Sequence, residues 1–306
     1  MAKKTLDPYV FFSDGVALRD DTIVVAAGFT EDPEAATSRI YLKFGEEWLA
    51  HEVEHDFIVS VSHHDGVLFA VGRNGLVKHV GQAGVDLTAD RVRGRFKTFM
   101  LTEATARGHL SRVRAVAGSF YACGWGGQIY RLGANNWTKV ECGLDDKRDD
   151  DFLDIDGTAP NDLYVAGLNG AAAHFDGTRW RYLDLPTNAH IYGVKCLSAD
   201  DVVLCGSDGV LLRGNHRAGF NLIDPGIDAN FWSMTVFGGK LYMAYGDNGL
   251  YAYSQGVFSE VKIAKKNPLT HRLDATGNTL WSFGSGSIQC FDGQKWTEAV
   301  CPDNVP

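Results

Sequence analysis

The six cysteines, Cys123, Cys142, Cys196, Cys205, Cys290 and Cys301, form no C-x-x-C pair, which leaves no zinc ribbon or thioredoxin-type redox motif. They read as reduced thiols, mostly packed, in a cytoplasmic chain. No apolar run follows the two lysines of the opening MAKKTLDPYVFF, and no stretch reaches the roughly 20 apolar residues of a membrane helix. Neither a signal peptide nor a membrane span is therefore expected. Positive charge is also in deficit. The net charge of −9 disfavours generic binding to nucleic acid or anionic membranes and favours a partner with a basic surface. Catalytic-triad spacing, a phosphate loop and a dinucleotide fingerprint are all missing, so the sequence points to no cofactor and no enzyme activity.

What the chain has instead is glycine and aromatics. Its 306 residues include 35 glycines, 11% aromatic residues, 45% hydrophobic and 22% charged residues. That composition suits short, bulky strands joined by many tight turns around a sizeable core.

The strands repeat. "LFAVGRNGLVKHV" from Leu68, "YACGWGGQIYRLGANNW" from Tyr121, "LYVAGLNGAAAHFDGTRW" from Leu163, "LYMAYGDNGLYAYSQGVF" from Leu241 and "LWSFGSGSIQCFDGQKW" from Leu280 align. "VVLCGSDGVLLRG" from Val202 and "IVVAAG" from Ile23 add two partial copies. The anchor glycines are Gly28, Gly72, Gly124, Gly167, Gly206, Gly246 and Gly284, spaced 44, 52, 43, 39, 40 and 38 residues apart. A unit near 40 residues is the period of a four-stranded propeller blade. In the best copy, from Phe152, four β-rich segments (FLDI, LYVAG, AAAHF, RWRYL) are separated by turn signals. The offset from the first of these segments to the anchor glycine is the same 15 residues in five copies.

The fold class expected is all-β: a single seven-bladed β-propeller of four-stranded antiparallel blades. The blades fall near 9–53, 57–90, 111–141, 152–185, 191–223, 231–262 and 269–300, with an insertion at 82–110. The ring is expected to close by blade packing, without a strand borrowed from the N-terminus, although residues 1–8 leave room for an edge strand. The "YVAG/LNG" pairs and the closing pieces Phe175–Trp180 and Phe291–Trp296 resemble the β-propeller superfamily with degenerate BNR/Asp-box-like or YVTN-like blades. The leading serine of the Asp box is missing and its Asp-to-Gly spacing is one short, so the resemblance implies architecture and no activity. The WD dipeptide of WD40 blades is absent.

One motif cuts across this reading. His51-Glu52-Val53-Glu54-His55 matches the zinc-protease pattern H-E-x-x-H. Trp48, however, occupies the place of Trp137, Trp180 and Trp296, which begin the fourth strands of their units. On a strand His51 and His55 stand about 13 Å apart, too far to share one metal. An exposed outer strand is expected, with no metal site there. His63-His64-Asp65-Gly66 reads as a solvated turn.

The remaining candidates concern binding. The acidic run "DDKRDDDFLDID" contains Asp145, Asp146, Asp149, Asp150 and Asp151 and offers a recognition patch for a basic surface. A double reversal at Asp149 and Asp150 to lysine is expected to weaken partner binding and leave folding intact. The basic stretch Val92 to Arg114 reads as a helix packed on a propeller face, with a nucleic-acid arm as the alternative. The links between blades (His190, Tyr192, Asn230, Trp232) and the turns between second and third strands (Arg73, Trp125, Asp208, Asp247) should share one face around the channel mouth. Phe152, Ile191 and Phe231 are expected to pack between blades. A sialidase-type arginine cluster is not expected, since Arg112, Arg114 and Arg272 do not appear to repeat in register.

The reading that follows is a non-enzymatic protein-binding propeller. Compact bacterial propellers with degenerate repeats resemble immunity proteins of interbacterial toxins, which implies a partner that is a basic toxin domain. A scaffold or assembly factor for a multiprotein complex, and a degenerate Asp-box glycosidase or lectin, are the alternatives.

Overall fold

The computed structural model describes residues 10–29, 37–132, 136–145, 148, 150–246, 249–263 and 269–304. Seven antiparallel sheets of four consecutive strands follow one another along the chain. We letter the strands A to D outward from the channel. In the fourth blade they are Phe152–Ala159, Asp162–Gly167, Ala172–Phe175 and Trp180–Tyr182. The chain is a seven-bladed β-propeller.

The anchor glycines have a steric cause. Strand B ends where the next link begins, and a side chain there would collide with backbone. A Cβ at Gly167 would lie 1.8 Å from the Asp151 carbonyl oxygen, and one at Gly206 would lie 1.9 Å from that of His190. The constant offset is the register itself: Gly167 pairs with Phe152 and Gly206 with Ile191. Immediately after that pair strand A carries a bulge, for example between Phe152 and Asp154 and between Thr270 and Arg272. Phe152, Ile191 and Phe231 are fully buried between blades.

The core is a set of apolar layers between neighbouring blades. The layer joining last blade to first contains Phe12, Ile23, Val25 and Tyr41 against Trp281, Phe283 and Ile288. Polar clasps supplement it. In several blades a strand-A side chain accepts a backbone N–H from the next blade. Asp154 Oδ2 takes that of Val194 (3.0 Å), and Asp156 Oδ2 takes that of Cys196 (2.9 Å). Asp274 Oδ2 accepts the Ala17 N–H at 2.8 Å, which ties the seventh blade to the first. The first and last sheets each consist of their own four strands, so the described ring closes without an exchanged strand. The edge strand considered for residues 1–8 lies outside the described residues.

The F-D-G pieces are turns with a job. Asp176 Oδ1 accepts the N–H groups of Thr178 (2.9 Å) and Arg179 (3.0 Å), and Asp292 Oδ1 does the same for Gln294 and Lys295. Hydrogen bonds from Thr178 hold the Asp176 carboxyl well below the usual carboxylate range. The motif caps a turn between strands C and D.

H-E-x-x-H lies on a strand, Glu47–Glu54, with His51 opposite Ile40. His51 stacks on Phe96 with ring centroids 4.3 Å apart, and Glu52 pairs with Arg39 at 2.5 Å. His55 lies beyond the strand end and points into solvent. The metalloprotease reading fails on geometry. His63 and His64 end a strand A, and Asp65 and Gly66 form its turn at positive φ.

The segment read as an insertion differs from expectation. Lys97–Met100 is strand D of the second blade, with Val77 opposite Phe99 and His79 opposite Lys97. That blade therefore runs past residue 90, and the true extra piece lies between its strands C and D. The only α-helix among the described residues is one turn, Ala89–Val92. It does not cover a propeller face. Leu87 and Val92 instead bury themselves in the layer between the first two blades. Four charged or polar residues around Phe96 and Phe99 hide the strand's alternation.

Candidate functional site

All strand-B-to-C turns and D-to-A links meet on one face, and hydrogen bonds join them. The Asn169 N–H donates to His190 Nδ1 (3.0 Å). The Asp208 N–H donates to Asn230 Oδ1 (3.1 Å), and the Gly126 N–H to Asp151 Oδ1 (3.1 Å). In the second blade Asp56, 1% exposed, accepts N–H groups of Phe57, Asn74 and Leu76. Burial raises its pKa, and those backbone donors work against the rise. Each link is thus pinned to a turn, and the face is rigid.

The pinning consumes several of the residues expected to recognise a partner. Asp150 is buried, its carboxylate held by Arg148 Nε (3.2 Å) and by the Tyr182 hydroxyl, which donates at 2.8 Å. Arg148 in turn lies 4.1 Å from the Tyr182 ring centroid. Asp150 is therefore not a surface charge, and its reversal to lysine is no longer expected to be neutral to folding. Asp151, His190 and Asn230 act as clasps. Arg73 stacks its guanidinium 4.6 Å from the Phe57 ring centroid. Asp145 is exposed. Asp146, Asp149 and Asp247 lie outside the described residues.

Other residues remain presented. Trp125 is 40% exposed beside His109. Tyr192 and Trp232, at equivalent positions in blades five and six, stack 4.5 Å apart at 18°, and Trp232 meets His271 edge-on at 6.0 Å. All three rings are half-buried and form an arc on one side of the mouth. Burial, then Asp208 nearby, raises the Tyr192 pKa. Asp208 itself sits exposed at the turn tip, φ +57°.

Sequence reasoning missed the most available carboxylates. The links "LDLPTNAHI" (183–191) and "IDPGIDANF" (223–231) are of equal length and align without gaps. They expose Asp184, Asp224 and Asp228 beside Asp208. None of these four makes an ion pair with a described residue. The equal length of the two links was the available signal; the charge density of 145–156 drew attention away from it.

Below the mouth the channel carries a second charged layer. Arg112 and Arg272 do occupy the same register, opposite Cys123 and Phe283, each one place before the anchor glycine. The expectation that they fall out of register is corrected: the strand-A bulge adds a residue that direct counting misses. They form no substrate clamp, because carboxylates answer them. Arg112 lies 3.0 Å from Asp14 and 3.1 Å from Asp154, Arg114 lies 3.3 Å from Asp154, and Arg272 donates to the Trp232 carbonyl at 2.8 Å. Burial works against the Asp154 charge, yet Arg114 and Arg112 keep its pKa below the ordinary range. Burial, with Arg112 close by, pulls Arg272 down to about 10.

One histidine cluster was also unforeseen. Asp162, His174 and His216 bring three potential ligand atoms within 4.8 Å of one another. The imidazoles are stacked face to face, 3.7 Å apart at 4°. A metal must lie close to the plane of each ring it binds, and two parallel planes at that separation share no such point. As arranged, His174 Nε2 bonds Asp162 (2.9 Å) and His216 Nδ1 bonds the Tyr164 hydroxyl (2.8 Å).

Fold and face together define a rigid seven-bladed propeller with one varied, partly acidic surface. No family model matches the chain. Among curated proteins it is similar to the immune protein Tsi7 of Pseudomonas aeruginosa, 30% identical over 197 residues, 62% of this chain and 64% of that protein. The match thus spans just under two thirds of the relative's length. Among solved structures it is similar to the WD40 β-propeller domain of Doa1 (TM-score 0.71, 12% identity, covering 95% of this chain and 96% of that one). It is also similar to YCF48 from Cyanidioschyzon merolae (TM-score 0.69, 11% identity, 98% of each chain). At those identities the structural likenesses speak for the fold alone. No helix among the described residues is long and apolar enough to cross a membrane.

Proposed function

We propose that this chain is an immunity-type protein, which binds a toxin domain through the face of links and B–C turns and blocks it without chemistry of its own. The observation that carries the reading is the 30% identity to an immune protein across most of the propeller. The face supports it physically. Asp184, Asp208, Asp224 and Asp228 offer uncompensated negative charge on a pinned scaffold, beside the Tyr192–Trp232 stack. Charge of this kind steers a basic partner and raises its association rate, and half-buried aromatics supply contact area at little entropic cost. The partner in this reading is a basic toxin domain, and the chain acts in the compartment that toxin would damage.

The test is capture followed by protection. The tagged chain is used to isolate its partner from native lysate, and the partner gene is then expressed in a sensitive host with and without this chain. Growth restored by the chain, with a 1:1 complex in vitro, is the expected result. A captured set of subunits from one assembly, with no toxic member, would replace the reading with the scaffold.

A further inference from the structure

The basic loop of the second blade is not used by the recognition face. It leaves strand C after Gly81, makes the single helical turn Ala89–Val92, and returns as strand D at Lys97. Between the loop and the blade lies a cleft of about 440 Å³. Val80, Val85 and Leu87 supply apolar lining, and Arg91, Arg95 and Lys97 supply cations. The loop is anchored, since Leu87 and Val92 are buried at 3% and 1% exposure. The cations therefore project from a fixed platform.

The charge is unbalanced. Asp86 is the one carboxylate lining the cleft, and Arg19 answers it from outside at 3.8 Å. Arg91 spends one nitrogen on the Asp86 carbonyl (2.9 Å). Arg95 and Lys97 are exposed and make no hydrogen bond or ion pair with any described residue. Three cations thus stand against one compensated acid, on a chain whose net charge is −9. His79, opposite Lys97 on the neighbouring strand, adds no negative charge; burial and then Lys97 lower its pKa.

We propose that this cleft binds a small organophosphate of nucleotide size, the phosphate on Arg91, Arg95 and Lys97 and the uncharged body on Val80, Val85 and Leu87. A multivalent anion suits three converging cations better than a monocarboxylate does, and guanidinium nitrogens bind phosphate oxygens in pairs. The volume falls in the range of small-molecule sites. A nucleic acid is disfavoured because the acidic remainder of the chain repels an extended polyanion. The proposal stands independently of the toxin reading.

Calorimetric titration of the full chain tests it, with adenosine monophosphate, adenosine, inorganic phosphate and a short single-stranded oligonucleotide as probes. Saturable 1:1 binding of the monophosphate is expected, at least about tenfold tighter than adenosine or inorganic phosphate. Arg95→Ala with Lys97→Ala should weaken it by about 30-fold or more, with the melting temperature unchanged because neither side chain has a partner. Inorganic phosphate binding as tightly as the monophosphate would mean an adventitious ion only. An oligonucleotide bound far more tightly, with a steep salt dependence, would mean a nucleic-acid surface. Either of those results, no saturable binding, or binding indifferent to the double variant would overturn the proposal.

Discussion

Two acidic regions of this propeller make a useful pair. The run 145–156 is the densest charge in the sequence, and the links 183–191 and 223–231 carry only a few carboxylates each. In the structure their availability is reversed. Asp150 and Asp151 pin a link, Asp154 anchors two arginines, and Asp156 clasps the next blade. Asp184, Asp224 and Asp228 face solvent without an ion partner among the described residues. Charge density along a chain measures neither exposure nor freedom, because a propeller spends carboxylates wherever backbone N–H groups converge at a blade junction.

The contrast can be broken by substitution. The largest effect is expected at Asp154. Replacing it with alanine strands Arg112 and Arg114 and frees the Val194 N–H, which should cost about 3–5 kcal/mol in denaturant unfolding. Asp150→Lys places a cation against Arg148 in a buried site and should cost about 2–3 kcal/mol, seen as a clear fall in melting temperature. Asp208→Lys with Asp228→Lys should change stability by no more than about 0.5 kcal/mol, since both are exposed, and should act on partner affinity instead. Equal destabilisation by the surface pair and by Asp150→Lys would erase the distinction.

The smallest effect concerns pH. Burial lowers the pKa of His51, His63, His79 and His216, each below its value in the unfolded chain. Such groups take up protons more readily when unfolded, so stability should be full above about pH 6.5 and decline as pH falls through that value. His216 has the His174 ring 3.7 Å away, and His216→Phe should flatten the slope between pH 7 and 5 without changing the fold. A melting temperature independent of pH over that range in the wild type would contradict the sign.

Much of the architecture was legible because backbone sterics repeat. Only glycine fits where strand B meets the next link, so Gly167, Gly206 and their counterparts mark every blade. The turn-capping role of Asp176 and Asp292 likewise fixed the C–D turns. The strand D at Lys97–Met100 was not legible, since its four residues alternate too little to stand out in a basic stretch. The shared register of Arg112 and Arg272 was obscured by the bulge. For the face, co-location of links and turns followed from topology, but which carboxylates remain free depends on partners 18 to 40 residues away, such as Asp56 with Asn74 and Asp154 with Val194.

The most direct test of the account measures affinity and stability together. Once the captured partner is in hand, its binding is titrated against the wild type and against Asp208→Lys with Asp228→Lys, alongside the melting temperature of each. The account predicts at least about tenfold weaker binding, mainly through slower association, at an unchanged melting temperature. Undiminished affinity in the double variant would contradict the claim that recognition runs through the exposed acids of these two links.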